Sequence, residues 1–299
     1  MIKNLLYLIV VVAVIATSCG GKNNKSGQKS FGDSETVAKG ALPLDDKAME
    51  DLVQNIASPV EMAALIKSSG APFAQNLMAQ TNIDNFNTSN AKAFNLGIYA
   101  ADLGYLSMYG KTSSAMGYIT AIKKLADGIS VGQFFDFASL KRLITNNGNI
   151  DSLKYISQHS FNVMDKYLQK NNRSQLSALM VTGVYLEGLY LITQITKAKP
   201  SKKLAESIGD QKTIFDQLLL ITKNYQQDPY FANIVSNMDL IKKEFDAVKI
   251  TTVQGEPKSV EKDGMLTIIP SSTTTIDISD AVLKGIIEKT ELVRNKLIK

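Results

Sequence analysis

A face of small residues in an apolar helical segment is the feature that most constrains how this chain can fold. The segment AFNLGIYAADLGYLSMY carries these residues at spacings of four, three, four and three: Ala93, Gly97, Ala100, Gly104 and Ser107. On a helix these positions share one face, and a face without bulk lets a second backbone approach closely. Each Gly inside a helix costs about 0.5–1 kcal/mol relative to Ala. The pattern therefore predicts a tightly packed helix pair.

Start and stop signals for helices punctuate the chain from Asp45–Asp46, which opens the first predicted helix, to Val248. Most consist of a capping Asn, Asp, Ser or Thr before an apolar periodic run, with Gly, Asn or Pro after it. Ser130 and Gln133 have the spacing of a capping box for a helix through Ile144. The other predicted helices begin at Ser58-Pro59 or extend over 87–110, 112–128, 151–170, 174–197, 210–224 and 228–248.

The pattern changes after Val248. Two β-prone runs, Ile250–Val253 and Leu266–Ile269, surround turn signals and predict a hairpin or an extended flap. A final amphipathic helix, capped by Asp277 or Ser279, has one side made of Val282, Ile286, Lys289, Val293 and Lys296 or Leu297. The fold class predicted is mainly α, as a multi-helix bundle or an α-solenoid-like stack, with a small β-hairpin before a C-terminal helix.

A weak internal repeat runs through the helical part. Gly97-Ile98-Tyr99 recurs as Gly183-Val184-Tyr185, and further matches keep their order while the offset drifts from 86 to 77 residues. One explanation is an internal duplication of residues 92–172 and 178–249, which would stack two helical units. The other is chance matching between helices rich in Ala, Leu and Asp.

Composition excludes several classes of site. One His and one Cys cannot build a His/Cys zinc site, a disulfide or an iron–sulfur cluster, so no metal or cofactor is predicted. The net charge is +5, but only three of the 33 basic residues are Arg. Nucleic-acid binding favours the bidentate Arg fork and aromatic stacking, and the short Lys runs here lack both, so no nucleic-acid partner is predicted.

The N-terminus carries the most specific motif. Lys3 precedes a continuous apolar run from Leu5 to Ala16, which is too short to span a bilayer comfortably and has the length of a signal-peptide core. Ala16-Thr17-Ser18-Cys19-Gly20 follows and resembles the lipobox of bacterial lipoproteins, although Ala16 stands where Leu is most common. The alternative for Cys19 is a free thiol near the cleavage site of an ordinary secretory signal.

The resemblance implies a signal peptide over residues 1–18 and lipidation of Cys19 as the new N-terminus. Acyl chains on Cys19 would anchor the protein in the cell envelope, at the outer membrane and facing the periplasm or the cell surface. Residues 19–43 are rich in Gly, Asn, Ser and Lys and are expected to form a flexible tether. A helical domain over 44–249 follows, and residues 250–299 are expected to pack on it.

A lone carboxylate marks the candidate site. Asp102 is the only charged residue between Lys92 and Lys111, and Asn95, Tyr99 and Tyr109 fall near it on one side of the predicted helix. A carboxylate in so apolar a helix is expected to be hydrogen-bonded, paired or facing a wet groove. It is either satisfied by a Tyr hydroxyl or a helix N-terminus, or it lines a binding cleft.

The repeat offers a second acid in a similar setting, since Tyr185 and Glu187 stand among apolar residues. These six residues are the candidate ligand-binding set, and no catalytic residue is assigned. The leading hypothesis is a non-enzymatic, lipid-anchored helical module that binds an envelope protein or a small ligand. The alternative is an envelope hydrolase in which Asp102 and Glu187 act as general acid and base, which a separation well beyond about 10 Å would exclude.

Overall fold

Two long helices, one from each half of the chain, pack closely against each other. The structure is a computed structural model that describes residues 59–145, 150–255, 258–262, 265–269 and 272–298. The apolar N-terminal run, Cys19, the tether and the helix predicted at Asp45 lie outside the described residues. The described part confirms the mainly α fold class with a small β region before a C-terminal helix.

Nine α-helices are described. They are α1 (Pro59–Ser68), α2 (Ser89–Met108), α3 (Thr112–Gly128), α4 (Phe137–Thr145), α5 (Ile150–Lys170), α6 (Ser174–Ala198), α7 (Lys202–Lys223), α8 (Pro229–Asp246) and α9 (Asp280–Leu297). Side chains cap several of them as the sequence signals indicate. Thr88, Asp228 and Ser279 accept hydrogen bonds from the first-turn amides of α2, α8 and α9. These bonds satisfy amides that have no partner within the helix.

Two local predictions are wrong. Ser130 does not cap a helix: it has a left-handed φ of 61°, and a short 3-10 turn, Gly132–Phe134, separates it from α4. The Asp136 carboxylate instead accepts a hydrogen bond from the Ser139 amide at the start of α4, at 2.9 Å. The second error is one of length, since α7 begins at Lys202 and not at Asp210.

The β region consists of two antiparallel strand pairs, the inner pair lying between the two strands of the outer pair in sequence. β1 (Lys249–Gln254) pairs with β4 (Ser272–Asp277), with Lys249 opposite Asp277, and β2 (Lys258–Lys262) pairs with β3 (Met265–Ile269). Ile276 on β4 packs against Gly209 of α7, where an added Cβ would lie 2.6 Å from its side chain. In β1, every residue apart from Ile250 is exposed.

α2 and α6 meet where the repeated glycines lie. A Cβ added at Gly97 would lie 2.1 Å from the carbonyl oxygen of Met180, and one added at Gly183 would lie 2.1 Å from that of Phe94. Gly97 also faces the backbone nitrogen of Val184, and Gly183 that of Ile98. The contacts are equivalent in both directions at an offset of 86 residues, as an internal duplication would produce; the duplication itself stays a prediction.

α6 is the core helix of the described part. Its length and composition would allow it to span a membrane, but 94% of its most apolar window is buried within the protein. Helices α2, α7 and α9 pack around it. A helix that is apolar all round and buried all round is typical of the centre of a large domain.

Candidate functional site

The predicted carboxylates come together in the core, and an arginine joins them. Asp102 on α2 and Glu187 on α6 are fully buried, and the two carboxyls are close enough for a hydrogen bond between their side chains. Arg294 on α9 donates from Nη2 to Glu187 Oε1 at 2.7 Å and from Nε to Glu187 Oε2 at 2.9 Å. We call Asp102, Glu187 and Arg294 the carboxyl cluster. Its bidentate bond is the strong form of an arginine–carboxylate pair.

One proton resolves the repulsion between the two acids. Burial, together with the nearby charge of Glu187, raises the pKa of the Asp102 carboxyl well above its usual value. Burial also raises the pKa of Glu187, but the hydrogen bonds and charge of Arg294 oppose that rise. Asp102 Oδ1 accepts no hydrogen bond from a described residue. We therefore place the proton on Asp102, which donates it to an ionised Glu187 held by Arg294.

The cluster and four tyrosines hold one segment of backbone, residues 71–80 between α1 and α2, which we call the docked segment. Asp102 Oδ2 accepts from the Ala79 amide at 2.9 Å, and Arg294 Nη2 donates to the Leu77 carbonyl at 3.2 Å. The tyrosine hydroxyls bond four further backbone groups of the segment, with Tyr99 donating to Gln80, Tyr109 to Ala71 and Tyr118 to Ala79, and Tyr105 accepting from Ala74. Since buried backbone groups must find partners, these bonds hold an irregular segment with one short 3-10 turn, Gln75–Leu77, against the core, where Ala71 and Ala79 are buried.

The six residues predicted to bind a ligand are thus engaged with the protein itself. Asn95 donates to the Ala91 carbonyl within its own helix at 2.9 Å, and Tyr185 donates to the Gln211 carbonyl at 3.1 Å. Burial raises the pKa of Tyr99 to about 12, which keeps its hydroxyl a donor. Asp102 accepts a hydrogen bond from the Ala79 backbone amide and, with the proton placed on it, donates one to Glu187. The sequence had suggested a Tyr hydroxyl or a helix N-terminus as its partner.

A separate, apolar cavity lies on the small-residue face of α2. Its volume is about 140 Å³, it is partly open to solvent, and α2, α3, α4, α5, α6 and Phe135 contribute to its wall. From α2 it is lined by Leu96, Gly97, Ala100, Leu103, Gly104 and Ser107. None of the six predicted residues belongs to this wall, and none of its described lining residues is charged.

The cavity arises because the small-residue face is covered by two different neighbours. At Gly97 the backbone of α6 is in close contact, as the sequence pattern predicts. At Ala100, Gly104 and Ser107 the same face lines the cavity together with α5. The lining side chains of α5 are Leu153, Ser157, Gln158, Phe161 and Met164. These side chains leave space that small residues cannot fill. The small-residue pattern was the available signal for the cavity, but it also fits close packing.

Arg294 was not among the site residues predicted from the sequence. It is one of three arginines and lies on the buried side of α9 next to Val293, and its guanidinium also stacks over the Tyr190 ring at 4.4 Å. Buried positions on α9 include Ile287, Thr290 and Arg294, whereas Lys296 on the predicted side is exposed. Arg294 follows Val293 and precedes Leu297 by about one turn, and an Arg beside such apolar positions was a signal for a buried acid partner.

Comparison with known proteins gives no match to a family model, to a curated protein or to a solved structure.

Proposed function

We propose that this protein is a lipid-anchored cell-envelope protein whose helical domain binds an apolar ligand in the cavity between α2 and α5. The observation that carries the proposal is the cavity itself. Its volume of about 140 Å³ is close to that of an engineered apolar cavity of about 150 Å³ that binds benzene or xenon. A well-formed apolar pocket with few polar groups is the usual form of a small-molecule site.

The anchor follows from the N-terminal resemblance. An acylated Cys19 would keep the domain beside a membrane, where hydrocarbon ligands are abundant, and the tether would give it reach. Replacing Cys19 by Ala is expected to move the protein from the membrane fraction to the soluble fraction. Unchanged membrane retention of Cys19→Ala would overturn the anchoring part of the proposal.

Hydrolysis by paired carboxylates receives less support. A general acid or base must reach the substrate, and both Asp102 and Glu187 are fully buried in the described structure, behind the docked segment. Arg294 further occupies both oxygens of Glu187. The scaffold role for an envelope protein partner, the other part of the leading hypothesis, has no comparable observation in its favour.

Ligand binding can be tested with n-hexane, an apolar probe without a head group. Met164 and Met180 line the cavity, whereas Met238 is buried in α8 elsewhere. Hexane is expected to shift the methyl NMR signals of Met164 and Met180 and to leave that of Met238 unchanged. Shifts of all three signals alike, or of none, would contradict the proposal.

A variant that fills the cavity gives the matched comparison. Ala100 lines the cavity and is half-buried, while Ala232 is an exposed helical alanine of α8. Ala100→Leu places extra carbon atoms in the cavity and is expected to weaken hexane binding at least tenfold, whereas Ala232→Leu leaves it unchanged. Equal hexane binding by both variants would show that hexane binds elsewhere.

A further inference from the structure

The wall of the cavity indicates which class of ligand it takes, and this inference rests on the proposed function. The lining extends from Leu96 to Ser107 on α2 and from Leu153 to Met164 on α5. Eleven residues of helix correspond to about 16 Å, or three turns. A volume of about 140 Å³ along such a length is narrow. It fits one extended hydrocarbon chain better than a ring system or the two chains of a diacyl lipid.

The residues that line the cavity differ in burial and in polarity. Leu103, Met164 and Met180 are buried and apolar. Ser157, Gln158 and Phe161 on α5 are half-buried, so they lie toward solvent. A hydrocarbon chain can therefore pack against the buried side chains while the polar part of the same molecule meets Ser157 and Gln158, midway along the α5 lining.

The polar groups at the wall are uncharged. Ser107 donates its hydroxyl hydrogen to the Leu103 carbonyl at 2.6 Å, which leaves Ser157 and Gln158 as the polar side chains toward solvent. A hydroxyl and an amide both donate and accept hydrogen bonds, as the hydroxyl and ester groups of a lipid head require. A charged head brought to this wall would lose hydration without gaining an opposite charge from it.

We infer that the cavity binds a single-chain lipid with an uncharged hydroxyl- or ester-bearing head, such as a monoacylglycerol. The chain lies along the small-residue face of α2, and the head meets Ser157 and Gln158. Lys154 is one helical turn before these residues but does not line the cavity.

Three probes with the same eight-carbon chain separate the head-group classes: monooctanoylglycerol, octanoate and octyltrimethylammonium. Affinity is measured from the Met164 and Met180 methyl signals, with hexane as the headless reference. Monooctanoylglycerol is expected to bind at least tenfold more tightly than either charged probe. Gln158→Leu is expected to weaken monooctanoylglycerol binding about threefold to tenfold and to leave hexane binding unchanged. The control is Gln217→Leu, at an exposed position of α7, which should change neither affinity.

The outcomes distinguish the two proposals. If hexane binds but octanoate binds as tightly as monooctanoylglycerol or more tightly, the uncharged-head inference is wrong and the apolar site stands. The inference also fails if Gln158→Leu weakens hexane and monooctanoylglycerol binding by the same factor. If hexane and all three chains fail to shift the methionine signals, the proposed function itself is overturned.

Discussion

Replacing Arg294 by Met tests whether the carboxyl cluster holds the fold together. The change removes the guanidinium that bonds both oxygens of Glu187 and the Leu77 carbonyl, and it keeps an apolar side chain of similar length. Glu187 then lies in the core without its cation. Removing one partner of a buried ion pair costs about 3–5 kcal/mol because an uncompensated charge remains.

The magnitude can be worked out independently from protonation. Without Arg294, the folded protein keeps Glu187 neutral, while the unfolded chain has it ionised at pH 7. Starting from a reference pKa of 4.5, that protonation costs about 3.4 kcal/mol at pH 7 and about 0.7 kcal/mol at pH 5. The lost bond to Leu77 adds about 1 kcal/mol at either pH. We therefore expect Arg294→Met to lower the free energy of unfolding by about 4–5 kcal/mol at pH 7 and about 2 kcal/mol at pH 5.

The assay is urea unfolding followed by far-UV circular dichroism at both pH values. The control is Lys197→Met, which breaks a 2.9 Å ion pair with Glu291 that is largely exposed, with side chains 54% and 36% accessible. Exposed pairs contribute little, so this variant should unfold like the wild type. Adding Glu187→Leu to Arg294→Met removes the buried acid and should restore much of the loss. A cost that is the same at pH 5 and pH 7, or no larger than that of Lys197→Met, would refute the reasoning.

Three further changes test the same architecture by urea unfolding. Asp102→Asn removes a carboxyl whose pKa is raised in the folded protein. Above the pKa of the unfolded chain, wild-type Asp102 must take up a proton to fold, which lowers the wild-type free energy of unfolding as pH rises. Relative to wild type, the variant should therefore gain stability as pH rises, by at most about 1.4 kcal/mol per pH unit. Gly97→Ala places a Cβ 2.1 Å from a backbone oxygen of α6 and should cost about 1–3 kcal/mol. Tyr118→Phe removes the buried bond to the Ala79 carbonyl and should cost about 1–3 kcal/mol, since that carbonyl is left unpaired.

Each of these three substitutions has a control or a result that would contradict it. A stability difference between Asp102→Asn and wild type that stays constant from pH 4 to pH 8 would show that Asp102 is not the protonated member of the pair. Gly117 is a helical glycine with open space around it, so Gly117→Ala should stabilise by about 0.5–1 kcal/mol. Similar effects of the two alanine substitutions would argue against the close contact of α2 and α6. If Tyr118→Phe has the same free energy of unfolding as the wild type, the docked segment does not depend on this hydroxyl.

Much of the secondary structure could be predicted from the sequence, because the signals that begin and end a helix lie within a few residues of each other. Caps such as Thr88, Asp228 and Ser279 can be predicted from the few residues around them, and the structure has them at the predicted positions. The failures are also local. Ser130 has the composition of a capping box, but a left-handed φ and a 3-10 turn follow the packing of Phe134 and Phe135 against the core. Tertiary contacts overrode a weak cap preference there.

The candidate site was predictable only in part. The sequence showed that Asp102 and Glu187 are unusual acids, since each stands alone in an apolar helix, but it did not show what satisfies them. Their partners are an amide 23 residues earlier for Asp102 and a guanidinium 107 residues later for Glu187. No periodicity spans such distances, because a helix brings together only residues three or four apart.

The amino-acid sequence by itself determined most of the helices, several of their caps and the existence of a face on α2 made of small residues. Only the tertiary structure decided how that face is used. At Gly97 the backbone of α6 is in close contact with this face. From Ala100 to Ser107 the face lines a cavity together with side chains of α5. The physical reason is that a small residue removes volume from its own helix. Whether that volume becomes a contact or a binding site depends on the neighbour that the rest of the fold brings to it.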